Sequence, residues 1–177
     1  MNAEQESYPG REIVFSPQDE QWMHYALELA AKGEVIGEVP VGAVIVQDEK
    51  IIGEGFNQPI SSHDPTAHAE IIALRQAAMQ IQNYRLVGST IYVTLEPCTM
   101  CVGALVHARI ERLVFGTTET KAGAVVSKSQ LLDNDYFNHR VEYAGGLMAQ
   151  QCQHQLSDFF AMRREQKRQE KLARSQP

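Results

Sequence analysis

The sequence predicts an α/β fold in which helices cover both faces of a five-stranded sheet, a three-layer α/β/α sandwich. Short apolar runs typical of strands alternate with segments of helical periodicity, in the order α-β-β-α-β-α-β-β-α. The chain has 177 residues, 44% of them hydrophobic, which is enough for one buried core. No apolar run approaches the roughly 20 residues needed to cross a bilayer, so an integral membrane protein is excluded.

The first half of the chain contains a helix followed by a hairpin. The helix is predicted to begin after Ser16, which suits the N-cap, and to end at Gly33. Apolar runs at 41–46 and 51–56 flank a polar turn and predict two paired strands. A loop rich in Pro, Ser and His follows over 58–66.

In the second half of the chain, predicted helices and strands alternate again, and the last element is a long helix. Its predicted elements are a helix from 67, a strand at 90–95, a short helix at 98–107, strands at 112–115 and 141–143, and a helix over 147–171. One domain is therefore expected over 16–171, with a flexible tail at 1–15 and a disordered tail at 172–177.

The first twenty residues carry five acidic side chains against one arginine, which is unlike a secretory signal peptide. The three cysteines are also too few for a disulfide framework. A cytoplasmic protein is therefore expected.

The net charge of -6 is unevenly distributed. Residues 163–174 hold six basic and two acidic side chains, a net +4, which leaves -10 for the remainder. By composition alone this run is typical of a solvated terminal helix.

Cys98 and Cys101 are the first residues that indicate chemistry. A spacing of three at the start of a helix places both sulfurs on one side of its first turn. The helix N-terminus stabilises thiolates, the form that binds metal. The same pattern occurs in redox motifs and in half of a zinc finger, but no second C-x-x-C and no H-x-x-x-H is present.

His68 and Glu70 lie at the start of the preceding helix. If the two helices lie side by side, His68 completes a three-ligand site with the cysteines, and the open fourth position is typical of catalytic zinc. Two thiolates and an imidazole favour zinc over magnesium or calcium. Glu70 lies roughly 200° around the helix from His68 and is placed to shuttle a proton to bound water.

Each of these residues also has a structural interpretation. A lone histidine is commonly a surface residue, and a glutamate in a first turn commonly interacts with the helix dipole. Candidate fourth ligands that would close the site are His63, His107 and Cys152. The combination of H-x-E with P-C-x-x-C about thirty residues later nevertheless favours a metal-dependent enzyme.

Several stretches around these motifs resemble one family. They read VPVGAV at 39–44, GEGFN at 53–57, HDPTAHAE at 63–70, YVTLEPC at 92–98 and DFFAMRR at 158–164. Over about 16–170 the sequence resembles the bacterial tRNA-specific adenosine deaminases of the zinc-dependent cytidine deaminase superfamily. The resemblance implies a cytidine deaminase-like fold with a mixed sheet.

The resemblance also implies an activity, the hydrolytic deamination of wobble adenosine 34 of tRNA to inosine. One zinc per subunit, held by His68, Cys98 and Cys101, would activate water for attack on C6 of adenine. Glu70 would take the water proton and return it to the base and the leaving ammonia. The implied partners are a tRNA anticodon stem-loop and a second copy in a homodimer, with no DNA and no membrane.

Two further residues acquire roles through the resemblance. Asn57 matches a substrate-contacting asparagine, although by itself it is also a common turn residue. Glu119 stands where family members often carry aspartate near the substrate ribose, so one extra methylene is a departure from the family.

The terminal helix gains a second interpretation in this family. Arg163, Arg164 and Lys167 suit contacts with RNA phosphates. Phe159 and Phe160 directly precede them and suit either the core or the RNA surface.

The sequence is also compatible with two rival functions. A deaminase of free bases or nucleosides, such as guanine or cytosine, would keep zinc and Glu70 but would not need the basic helix. A non-catalytic zinc-stabilised RNA-binding module would not need Glu70 or an open metal position.

Overall fold

The computed structural model describes residues 14–174 and contains the five predicted strands in their predicted order. The strands are β1 (Gly42–Gln47), β2 (Lys50–Phe56), β3 (Thr90–Leu95), β4 (Arg112–Thr117) and β5 (Glu142–Gly145). The helices are α1 (Pro17–Val35), α2 (Pro59–Ser62), α3 (Ala69–Ile81), α4 (Thr99–His107) and α5 (Ala149–Arg174). A 3-10 turn spans Leu131–Asp133.

The departures from the predicted elements lie in loops and at ends. The short α2, which has Pro59 in its first turn, and the 3-10 turn lie where loops were predicted. Helix α5 continues to Arg174, so residues 172–174 are helical and not disordered. Phe15, the last residue of the predicted flexible tail, packs against the core beside α1. The rest of the two predicted tails lies outside the described residues.

The sheet has the strand order β2-β1-β3-β4-β5. Strand β1 is antiparallel to both of its neighbours, β2 and β3, whereas β3, β4 and β5 run parallel. The sheet is therefore mixed, as predicted. Because β2 and β3 are both antiparallel to the strand between them, they run in the same direction and end at the same edge.

Side chains of the central strands alternate between two buried clusters. Ala43, Ile45 and Val93 face the cluster that includes residues of α3 and α4. Val44 and Tyr92 face the cluster that includes residues of α1 and Cys152 of α5. This period-two alternation covers both faces of the sheet with helices and confirms the predicted three layers.

A network around Asp19 attaches α1 to the sheet. Ser16 caps the helix, since its Oγ accepts from the N–H of Asp19 and its own N–H donates to Asp19 Oδ2. Asp19 Oδ1 also accepts from Tyr92 Oη and Arg112 Nη1, each at 2.7 Å. The predicted N-cap is thus confirmed, and its helix is anchored to β3 and β4.

Within residues 14–174 no helix combines the length and the apolar character that membrane crossing requires.

Candidate active site

The site forms where α3 and α4 begin, at the edge where β2 and β3 end. His68 is the N-cap residue of α3, and Cys98 is the N-cap residue of α4. Neither side chain makes a capping hydrogen bond, so the imidazole and the thiol are available to a ligand. The convergence of these two helix starts follows from the common direction of the two strands.

The three predicted metal ligands lie together. His68 Nδ1 is 3.6 Å from Cys98 Sγ and 3.6 Å from Cys101 Sγ, and the two sulfurs are 3.7 Å apart. A tetrahedral zinc with bonds of about 2.3 Å to sulfur and about 2.05 Å to nitrogen separates two sulfurs by about 3.8 Å, and sulfur from nitrogen by about 3.6 Å. The spacing and the donor types therefore fit zinc.

The predicted alternatives for a fourth ligand do not join this group. Among residues 14–174 the only cluster of three or more potential metal ligands consists of His68, Cys98 and Cys101. His63 and His107 are exposed. Cys152 lies in the cluster on the opposite face of the sheet. Three protein ligands leave a coordination position for water or substrate, as in catalytic zinc sites.

The electrostatics of the site favour a thiolate at Cys98 and a neutral thiol at Cys101, because the hydrogen bond with Cys98 and burial raise the pKa of the Cys101 thiol. The hydrogen bond between Cys98 and Cys101, together with that between Cys98 and His68, lowers the pKa of the Cys98 thiol to about 4 despite its burial. The hydrogen bond between His68 and Cys98 in turn raises the pKa of the imidazole. Thiolate is the form of cysteine that binds metal.

Glu70 lies in the first turn of α3, beside the cysteines, with only 4% of its surface exposed. Burial raises the pKa of its carboxyl group. A raised pKa suits a group that must both accept and release a proton near neutral pH.

Two glycines of β2 and one asparagine fix the start of α3. A Cβ at Gly55 would lie 2.5 Å from the carbonyl oxygen of Ala69, and one at Gly53 would lie 2.3 Å from that of Ala73. Helix α3 can therefore approach the strand closely only because these positions lack side chains. Asn57 Oδ1 accepts a hydrogen bond of 2.9 Å from the N–H of Ala69 and serves as an external cap.

The loop between β4 and the 3-10 turn forms another side of the site. Gly123 forms an isolated bridge with Cys98, and the N–H of Ala124 donates to the carbonyl of Pro97 at 2.9 Å. Glu119 is half-buried in this loop, and its Oε1 accepts from the N–H of Lys121 at 2.8 Å. The longer side chain of Glu119 is therefore partly engaged by its own loop.

Glu96 is not among the predicted site residues, yet it is 3% exposed and hydrogen-bonded to this loop. A signal was present, because a charged residue directly after the buried strand 90–95 requires hydrogen-bonding partners.

The predicted RNA-binding residues divide into two groups on α5. Arg163, Arg164 and Lys167 are exposed, and Phe160 retains 45% exposure. Phe159 is only 3% exposed, and its ring packs edge-on against Phe160 with centroids 5.5 Å apart. Phe159 therefore belongs to the interior, because the apolar side of the helix faces the protein at this position.

Comparison with known proteins agrees with this geometry. Residues 16–117 match the family model of the cytidine and deoxycytidylate deaminase zinc-binding region. The fold and the His–Cys–Cys site thus define a zinc-binding deaminase.

Individual relatives indicate which kind of zinc-binding deaminase the chain is similar to. The chain is 57% identical over 159 residues to the tRNA-specific adenosine deaminase of Haemophilus influenzae, covering 89% of this chain and 92% of that protein. It is 41% identical to the Bacillus subtilis protein of the same name, over 89% of this chain and 96% of the relative. A chain from a structural study of A-to-I editing by tRNA:A34 deaminases superposes with a TM-score of 0.75 at 38% identity, covering 77% and 99% of the two chains. The chain belongs to the tRNA-specific adenosine deaminases of the cytidine and deoxycytidylate deaminase family.

Proposed function

We propose that this protein hydrolytically deaminates the wobble adenosine, position 34, of tRNA to inosine. The observation that carries the proposal is the 57% identity to a tRNA-specific adenosine deaminase over 89% of the chain. The open three-ligand site and the buried Glu70 beside it supply the chemical groups that such a reaction requires.

The proposed catalytic roles follow from the geometry of the site. His68, Cys98 and Cys101 would hold zinc, and the bound metal would supply acidification of a water molecule, with a pKa of about 7. Glu70 takes one proton from the water that attacks C6 and delivers it to N1 of adenine. It then takes the second proton from the resulting C6 hydroxyl group and delivers it to the amino group, which leaves as ammonia. Its burial raises the pKa of the carboxyl group, which makes the protonated form accessible during the cycle.

Asn57 and Glu119 are the proposed substrate contacts. Because Asn57 Oδ1 already accepts from Ala69, the Nδ2 group is the part of this amide that donates to the base. Glu119 Oε1 accepts from the N–H of Lys121, which leaves Oε2 to accept from a ribose hydroxyl.

The basic half of α5 is the proposed RNA surface. Arg163, Arg164 and Lys167 are all exposed, and their charges suit the phosphates of an anticodon stem. Phe160 is exposed enough to stack on an unpaired base, whereas the buried Phe159 supports the helix from inside. An unpaired anticodon base is also less costly to flip into a pocket than a paired one.

We therefore expect the double variant Arg163→Ala/Arg164→Ala to bind an anticodon stem-loop about tenfold more weakly. The magnitude of the slope of log affinity against log salt should fall by roughly 1.8, because two phosphate contacts with the double-stranded stem are lost. Fluorescence anisotropy over a salt series measures both quantities. The matched control is Lys50→Ala/Arg85→Ala, which removes two exposed positive charges that lie outside α5. An unchanged slope in the α5 variant would move the RNA surface elsewhere.

The protein is further proposed to act as a cytoplasmic homodimer with one zinc per subunit. Helix α4 supports a close contact, because Gly103 and Ala104 are only half-buried and a Cβ at Gly103 would meet no atom within 4 Å.

The test of the function compares RNA with free bases. Inosine formation is measured in an anticodon stem-loop whose anticodon begins with A, with free adenosine, cytosine and guanine assayed in parallel. Inosine at the wobble position alone is the expected result. Ammonia released from a free base, with no inosine in the RNA, would assign the protein to the rival class of nucleobase deaminases.

A further inference from the structure

Glu96 holds the loop at 118–130 through one carboxylate. Its Oε1 accepts from the N–H groups of Val125, Val126 and Ser127 at 3.0, 2.8 and 2.9 Å. Its Oε2 accepts from the N–H of Glu119 at 2.9 Å and from the hydroxyl of Ser127. All five donors are neutral groups of the same loop, so the carboxylate serves as the loop's internal anchor.

The loop is shaped to close over this carboxylate. A Cβ at Gly123 would lie 2.3 Å from Glu96 Oε2 and 2.6 Å from the carbonyl oxygen of Glu119. Glycine is therefore required at this position for the loop to reach Glu96. The same glycine forms the bridge with Cys98, so the anchored loop lies directly beside a metal ligand.

We propose that Glu96 is a positioning residue for substrate binding, which sets the backbone of Glu119 and the loop wall beside Cys98. The proposal rests on the proposed function, in which Glu119 contacts the substrate. The carboxylate of Glu96 forms its hydrogen bonds with the loop, and the side chain lies beneath it with 3% of its surface exposed. It therefore acts through Glu119 and not on the reacting atoms.

The chemistry of glutamine makes Glu96→Gln a selective test. The carbonyl oxygen of a glutamine can still accept the three hydrogen bonds from the N–H groups of Val125, Val126 and Ser127. Its NH2 group then replaces Oε2 and faces the N–H of Glu119, so two donors oppose each other while the Ser127 hydroxyl can turn to accept. The variant should therefore displace Glu119 more than it displaces residues 125–127.

We expect Glu96→Gln to retain one zinc per chain and to raise KM for the stem-loop by about tenfold, with kcat within about threefold of wild type. Amide hydrogen exchange should accelerate at Glu119 more than at 125–127. In a double-mutant cycle, Glu96→Gln should raise KM little further when Glu119 is already replaced by alanine, because both changes remove the same substrate contact.

Two further variants complete the experiment. Gly123→Ala leaves Glu96 intact but displaces the loop by adding a Cβ, so it should reproduce the rise in KM even if Glu96→Gln folds poorly. Ser129→Ala removes a hydroxyl of the same loop that is not bonded to Glu96, and it should behave as wild type. Equal losses in kcat and zinc content for Glu96→Gln, or additive effects with Glu119→Ala, would overturn the proposal.

The outcome separates this proposal from the proposed function. If the wild-type protein forms no inosine, the function fails, while exchange at Glu119 still reports whether Glu96 anchors the loop. If the wild type is active and neither Glu96→Gln nor Gly123→Ala changes KM, only the positioning role is wrong.

Discussion

Each face of the sheet is covered by a helix with a buried acidic residue in its first turn, and these two residues have opposite environments. On the α1 face, Asp19 accepts hydrogen bonds from Tyr92, from the guanidinium of Arg112 and from the N–H of Ser16. On the α3 face, Glu70 lies beside His68 and two cysteines and is paired with no arginine or lysine among the described residues.

The pKa values of the two carboxyl groups are therefore shifted in opposite directions. Burial by itself raises the pKa of Asp19. The hydrogen bonds from Arg112, Ser16 and Tyr92 outweigh this effect and lower the pKa to about 2. Burial raises the pKa of Glu70. A buried carboxyl group that is surrounded by donors is thus kept ionised and stabilises the fold. One that is buried with few hydrogen-bond donors and no cationic partner, as Glu70 is, can exchange a proton and is suited to catalysis.

The largest effect that this comparison predicts belongs to Glu70→Gln. The substitution keeps the size of the side chain but removes its ability to accept a proton, so kcat for inosine formation should fall about a thousandfold. Zinc content, measured by metal analysis, should stay at one per chain, because the three ligands are untouched.

Asp19→Asn is the matched control, since it changes a buried acid to its amide on the other face of the sheet. It should retain kcat within about twofold at 25 °C. Substantial activity in Glu70→Gln would remove Glu70 from the mechanism, and a large loss of kcat in Asp19→Asn would show that the two faces are not independent.

Much of the fold and the metal site could be predicted from the sequence because the signals are local. Ser16 as N-cap, the strand at 90–95 and the cysteines on one helical turn each depend on a few neighbouring residues. The approach of His68 to the cysteines needed one further assumption, that the two helices begin at the same edge, and the strand directions satisfy it.

The remaining features depend on contacts distant in sequence. The link between Glu96 and residues 119–127 spans 23 to 31 residues and has no periodic signal. The hydrogen bond between Tyr92 and Asp19 spans 73 residues. Phe159 and Phe160 are adjacent on one helix, so only packing decides that the first is buried and the second exposed.

The smaller effect that the comparison predicts is on stability. Asp19→Asn should lower the free energy of unfolding at neutral pH by about 2 kcal/mol, because the lowered pKa of Asp19 reflects favourable interactions of its ionised form. The substitution also leaves the partly buried guanidinium of Arg112 without its carboxylate. Urea unfolding monitored by circular dichroism measures this difference.

The pH dependence of that difference tests its electrostatic origin. The pKa of Asp19 is lowered from 3.8 to about 2 in the folded state, so its contribution is complete above about pH 5 and is lost as the pH falls from about 4 toward 2. The wild type and Asp19→Asn should therefore converge in stability over that range. A difference that stays constant down to pH 3 would instead assign the loss to packing at the start of α1, and the contrast between the two buried acids would then be one of shape and not of charge.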